Sequence, residues 1–176
     1  MILGAVLAGG RSSRFGSDKA MALLEGRPLI DHVILALSPH VDGMIVCGRT
    51  YPGLTGAPDR PGPGLGPLGG INAALRHAAD NGYAKVLTAP CDTPRIGKQL
   101  LADLLAAPAP AYLSSLPVLG CWPSALADQT DAYLDQAADL SIRRWSRVIG
   151  ATALDHHPAP VNINERDDWD LLDGSG

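Results

Sequence analysis

MILGAVLAGG, residues 1–10, decides the fold. Ile2 to Ala8 is a short, unbroken apolar run that ends in Gly9-Gly10, the pattern of a strand buried on both faces. Runs of the same kind recur at residues 43–47 (GMIVC) and 85–89 (KVLTA). Helical patterns lie between them, at residues 28–37 with Pro28 suited to the first turn, and at residues 71–79, stopped by Asn81-Gly82. This alternation predicts an α/β chain of parallel βαβ units with right-handed crossovers and helices on both faces of the sheet. Further helices are expected at residues 98–107, 123–138 and 141–148, with a last short one at 166–172. Less regular apolar stretches predict strands at residues 112–119 and 161–163. The cluster PGPGLGPLGG, residues 61–70, reads as a shaped loop because periodic segments resume at once. With no repeat and no linker, residues 1–176 are expected to form one domain.

Composition narrows the function classes. A chain of 176 residues can bury about 70% of the surface its unfolded form exposes, so it needs no disulfide framework. Cys47, Cys91 and Cys121 are an odd number without CxxC spacing and read as reduced thiols. With 46% hydrophobic residues, the 20 Gly and 15 Pro signal long loops rather than disorder. A formal net charge of −4 gives no broad basic surface for nucleic acid or anionic lipid, so any anion must be met locally. The opening apolar run is short and no Lys or Arg precedes it, which argues against a secretion signal. No run approaches the ~18 apolar residues of a membrane span, and a soluble, cytoplasmic protein is expected.

In an open parallel sheet, ligands bind beyond the carboxyl ends of the strands. Three segments leave such ends here: residues 9–19, residues 48–70 and Pro90-Cys-Asp-Thr-Pro94. The first, within LAGGRSSRFGSDKA (residues 7–20), matches neither G-x-G-x-x-G nor a P-loop. It has the parts of a triphosphate clamp all the same. Gly9 and Gly10 allow backbone N–H groups close to a phosphate, while Arg11, Arg14 and Lys19 supply countercharge. Asp92 follows a buried strand between two prolines, where a carboxylate can hold Mg²⁺ that draws its other ligands from phosphate and water. Taken alone, Asp92 also suits a helix cap or an Asx turn.

LAGGRSSRFGSDKA, GPLGGI at residues 66–71, PCDTP at 90–94 and VNINERDD at 161–168 together resemble the ordered motifs of the molybdenum cofactor guanylyltransferase family, within the wider nucleotidyltransferase superfamily. The resemblance runs from residue 3 to about residue 172. It implies a Rossmann-like three-layer α/β/α sandwich with a mostly parallel sheet. It also implies an enzyme that transfers GMP from GTP to the terminal phosphate of molybdopterin, releasing pyrophosphate and using Mg²⁺. By the same resemblance Lys19, Arg14 and Asp92 are the catalytic residues, and Asp92 and Asn164 the metal ligands. Leu7, Ala8, Gly9, Gly10, Gly66, Pro67 and Leu68 would line the nucleotide, Asp59 would accept from the guanine edge, and Asn162 and Asn164 would meet the second substrate. Molybdoenzymes or their chaperones are the implied downstream partners.

The chain departs from this pattern at IVCGRT, residues 45–50: Cys47, Gly48 and Arg49 stand where many relatives place an asparagine that helps hold the base. Arg166 replaces a common proline, and residues 108–150, expected to face molybdopterin, carry no decisive motif. Arg143-Arg144 there fits a solvated helix face or an anionic pterin phosphate. Adjacent His156 and His157 would point to opposite faces of an extended segment, and isolated Trp122, Trp145 and Trp169 read as packing residues. Two rival functions stay open: a cytidylyl- or other nucleotidyltransferase, whose relatives commonly read LAAG, and a non-catalytic nucleotide- or cofactor-binding adaptor.

Overall fold

A computed structural model describes residues 1–9 and 18–161. The elements in chain order begin with β1 (Ile2–Leu7), the short hairpin β2 (Leu23–Leu24) and β3 (Arg27–Pro28), α1 (Leu29–Leu37), β4 (Gly43–Cys47), β5 (Thr55–Ala57) and α2 (Gly66–Asp80). They continue with β6 (Lys85–Pro90), α3 (Lys98–Ala106), β7 (Ala111–Leu113), β8 (Leu116–Pro123), α4 (Ala127–Gln136), α5 (Ile142–Val148) and β9 (Thr152–Leu154). Seven strands form one sheet in the order β5-β4-β1-β6-β8-β7-β9. β1 pairs in parallel with β4 and β6 and β4 with β5, whereas β8 runs antiparallel to both β6 and β7. The Rossmann-like sandwich with a mostly parallel sheet is therefore the observed fold.

Period-two geometry explains why the central strands read as unbroken apolar runs. Leu3, Ala5 and Leu7 face one core, with Leu68, Ile71 and Leu75 of α2 and Trp145 of α5. Val6 faces the other, with Ile30, Val33 and Leu37 of α1 and Leu100, Leu101 and Leu104 of α3. β4 splits the same way: Ile45 and Cys47 pack toward α2, Val46 toward α1. Trp122 and Trp145 are fully buried, with ring centroids 4.8 Å apart, and the Trp122 indole N–H donates to Thr88 Oγ1 at 2.9 Å. These two are packing residues, as expected; Trp169 lies outside the described residues.

Four expectations need correction. The single strand expected at 112–119 is a hairpin, β7 and β8, turned at Ser114-Ser115. The expected 123–138 helix starts later, because Pro123 still belongs to β8 and Ser124–Leu126 form a 3₁₀ turn. The short strands β2, β3, β5 and β9 were not anticipated, since two or three residues are too few to show a period, and Pro28, expected in a first helical turn, ends β3 just before α1. Most consequentially, the loop expected through residue 70 ends at 65, and GPLGG forms the first turn of α2. Glycine is used there for contact rather than flexibility: a Cβ on Gly69 would lie 3.1 Å from Leu65 Cβ and 3.3 Å from Asp59 Cβ. The strand expected at 161–163 and the helix at 166–172 fall outside the described residues, apart from Val161, which is not in a strand.

Candidate functional site

Register brings the three central parallel strands to an end at one level. Leu7 pairs with Cys47 on one side and with Pro90 on the other, so residues 8–9, 48–49 and 91–92 emerge side by side. Backbone bonds continue the ladder beyond the strands: Ala8 N–H donates to Cys47 C=O (2.9 Å), Cys91 N–H to Leu7 C=O (3.0 Å), and Gly48 N–H to Ala57 C=O (2.8 Å). Gly48, with φ at +84°, passes so close to β1 that a Cβ there would stand 2.6 Å from Gly9 N. That approach needs glycine at 48 on both counts.

Lys19 and Asp92, separated by 73 residues, meet over this edge. The Lys19 ammonium donates to Asp92 Oδ2 at 2.6 Å, with the side chains only 14% and 17% exposed. Lys19 opens a 3₁₀ turn through Met21 whose next residue, Ala20, is buried in the α1-side core, while Asp92 follows directly from β6. On the opposite flank of β1, the Arg49 guanidinium forks onto both oxygens of Asp18, at 2.7 and 2.5 Å. Those hydrogen bonds hold the Asp18 carboxyl below the usual carboxylate range and raise the guanidinium. Two ion pairs, Arg49–Asp18 and Lys19–Asp92, joined through the adjacent residues 18 and 19, thus lie between the end of β4 and the end of β6.

Asp59 closes the third side. Its carboxylate oxygens lie 3.4 and 3.5 Å from where a Gly9 Cβ would stand, and Oδ1 lies 3.6 Å from the corresponding point at Gly70. Arg60 N–H donates to Gly69 C=O at 3.1 Å, fastening the Asp59 segment to the start of α2. Partial burial pushes the Asp59 carboxyl above the usual range. The neighbouring thiols are poor nucleophiles. Burial, helped by the Asp92 charge, pushes Cys91 up to about 12, and burial with the Asp59 charge does the same to Cys47.

The structure therefore gathers Gly9, Lys19, Asp59, Asp92 and the first turn of α2 around one edge. Leu7 and Leu68 have their side chains in the core, so only their backbones face that edge; Gly66 and Pro67 lead into the turn that carries Gly69 and Gly70. Gly10, Arg11, Arg14, Asn162 and Asn164 lie outside the described residues. Val161 lines a cleft of about 320 Å³ with Arg95, Gly97, Leu100, His156 and Pro158, reached from the start of α3. Arg143 donates to Ser114 C=O at 2.6 Å from an exposed helix face, and His156 Nδ1 stands 3.6 Å from Asp103 Oδ2. Sequence reasoning missed Asp18 and saw Arg49 only as a departure. The available signal was a lone arginine two residues past a buried strand, facing an Asp-Lys dipeptide.

An edge that sets carboxylates, a lysine and glycine-lined backbone together suits phosphate handling, and no cluster of three or more metal-ligating side chains competes with that reading among the described residues. Among those residues no helix is long and apolar enough to cross a membrane. The chain is 38% identical over 178 residues to a Rhodobacter capsulatus protein named molybdenum cofactor guanylyltransferase, covering 95% of this chain and 92% of the relative. An Acidiphilium cryptum protein of the same name is 34% identical over 180 residues, covering 96% and 92%. The crystal structure of molybdopterin-guanine dinucleotide biosynthesis protein A from Archaeoglobus fulgidus has the same fold, with a TM-score of 0.76 at 23% identity over 97% of this chain and 96% of that one. Residues 4–157 match the model of the MobA-like NTP transferase domain, and with relatives this similar over nearly its whole length, the chain belongs to that nucleotidyltransferase family.

Proposed function

We propose that this nucleotidyltransferase moves GMP from GTP to the terminal phosphate of molybdopterin and releases pyrophosphate. The observation that carries the proposal is Lys19 held 2.6 Å from Asp92 at the shared carboxyl edge of β1 and β6. A phosphate oxygen of molybdopterin would attack the α-phosphorus of GTP. The new P–O bond forms as the bond to the oxygen bridging toward the β-phosphorus breaks, and the electron pair leaves with pyrophosphate. Such transfer needs alignment and charge neutralisation more than covalent help. Lys19 would neutralise the leaving pyrophosphate, with Arg14 assisting. Asp92, with Asn164, would hold Mg²⁺, whose bound form neutralises phosphate charge and orients the oxygens. One protein carboxylate fits that ion's habit of taking most ligands from phosphate and water.

The place of Asp59 supports guanine over cytosine. A carboxylate facing Gly9 offers two acceptors, which suit the adjacent N1–H and N2–H₂ donors of guanine; cytosine presents one amino donor beside acceptors. The cleft lined by Arg95, Gly97, His156 and Val161 supports room for a second substrate. Pyrophosphate release measured with molybdopterin, Mg²⁺ and each of the four nucleoside triphosphates tests this reading. GTP should be preferred by 10²-fold or more, on the order expected when a buried polar group is left unpaired by the wrong base. Equal turnover of CTP and GTP would move the chain to the cytidylyltransferases, and nucleotide binding without turnover would make it an adaptor.

A further inference from the structure

The last residue of β4 and the two that follow it hold the flanks of the cationic segment. Cys47 C=O accepts from Ala8 N–H at 2.9 Å, Gly48 lies against Gly9, and Arg49 grips Asp18 through both arms of its guanidinium. Asp18 stands directly before Lys19, and its own C=O accepts from Met21 N–H at 3.0 Å, closing the turn that presents the lysine. The Arg49 side chain is three-quarters buried, and its Nε is buried without a hydrogen-bond partner among the described residues. Asp18 is itself 49% exposed, so the desolvation falls on the guanidinium, which a purely superficial charge pair would leave in water. With both arms engaged, the guanidinium is directed at the chain rather than at a base.

We propose that Arg49 is a positioning residue that acts through Asp18 to set Lys19 against Asp92, so that triphosphate meets a preplaced ammonium. This inference rests on the function proposed above. Placement from one side only, by burial of Ala20, would leave the lysine free to swing about the turn. The forked pair to β4 fixes the other side.

The test uses the full chain with Mg²⁺ and two probes, GTP and inorganic tripolyphosphate, the second of which has no base to read. Binding and GTP kinetics are compared for Arg49→Ala, Asp18→Ala, their double variant and Arg49→Lys, with thermal melting as the check on folding. Both single variants should bind both probes about tenfold more weakly, and the double variant no more weakly than either, since each removes the same placement. KM for GTP should rise in step with these losses while melting stays close to wild type. Arg49→Lys, which keeps charge but not the fork, should recover only part. The proposal is overturned if Asp18→Ala binds like wild type or tighter while Arg49→Ala loses affinity, since Arg49 would then touch phosphate itself. Additive losses, or no loss in any variant, overturn it equally. Should an alanine variant fail to fold, Asp18→Asn with Arg49→Lys poses the same cycle. A wild-type protein that binds neither probe would refute the proposed function and this inference with it, whereas every other failure leaves that function standing.

Discussion

Among the ion pairs that join distant parts of the described chain, two sets differ in their setting. Lys19–Asp92 lies on the carboxyl edge of the parallel strands, between segments that follow β1 and β6. The second set lies between helices: Arg76 of α2 donates to Asp128 (2.6 Å) and Asp131 (2.7 Å) of α4, and Asn72 Nδ2 donates to Asp131 at 2.6 Å. Both are short, and both bring lysine or arginine to aspartate. The helix cluster sits on the outer layer beside a completed core, whereas the edge pair stands among glycines where backbone and open space meet. Charge pairing alone does not mark a site; position at the ends of parallel strands does. The pairs should separate under mutation, one controlling rate and the other stability.

The largest effect is expected at Asp92. Asp92→Asn keeps the size and most of the hydrogen bonding but removes the charge, and steady-state pyrophosphate release should fall by on the order of 10²-fold or more. Its melting temperature should barely move, and raised Mg²⁺ or added Mn²⁺ should recover part of the rate. Lys19→Ala comes next, with kcat/KM for GTP reduced roughly 10- to 100-fold in steady-state assays, again with melting close to wild type. A helix-cap role for Asp92 would instead leave the Asn variant fully active, because Asn caps as well as Asp.

Asp131→Ala should show the reverse behaviour. It strips an acceptor from Asn72 and Arg76, which costs about 2 kcal/mol and lowers the melting temperature by roughly 4–8 °C in a chain of this length. Turnover by the folded fraction should be unchanged. A slowed enzyme with normal melting would contradict the division between edge and helix clusters.

The smallest effects concern pH, and they have opposite signs. Burial pushes Asp131 up, but the hydrogen bonds from Asn72 and Arg76 outweigh it and hold its carboxyl below the usual range. It therefore contributes stability that is present above the ordinary value of 3.8 and is lost as pH falls through its folded value. Asp59 is raised by burial, so its contribution is fully present below 3.8 and is lost as pH rises through its folded value. Compared with wild type by denaturant melts across the acid range, Asp59→Asn should gain relative stability toward neutral pH, and Asp131→Asn should lose it. Asp59→Asn should also erode the preference for GTP.

Sequence made the central sheet legible because β1, β4 and β6 are covered on both faces and so appear as unbroken apolar runs. The same logic failed at β5 and β9, where three residues carry no period, and at Gly69 and Gly70, where glycine chosen for close packing reads as loop. Lys19 and Asp92 were legible as candidates because each lies in a segment that leaves an apolar run, Asp59 only through the family resemblance, and register then explains how they converge. The Arg49–Asp18 fork was not. It depends on side chains 31 residues apart meeting across the end of β1, which no local pattern encodes.

The proposed transfer is tested most directly by following the two ends of GTP separately. Wild-type protein is given Mg²⁺, molybdopterin and GTP labelled at the α- or the γ-phosphate. The α-label should appear in a molybdopterin product and the γ-label in pyrophosphate, in equal amounts, and only when molybdopterin is present. Label recovered as GDP and inorganic phosphate, or transfer from CTP as fast as from GTP, would contradict the account.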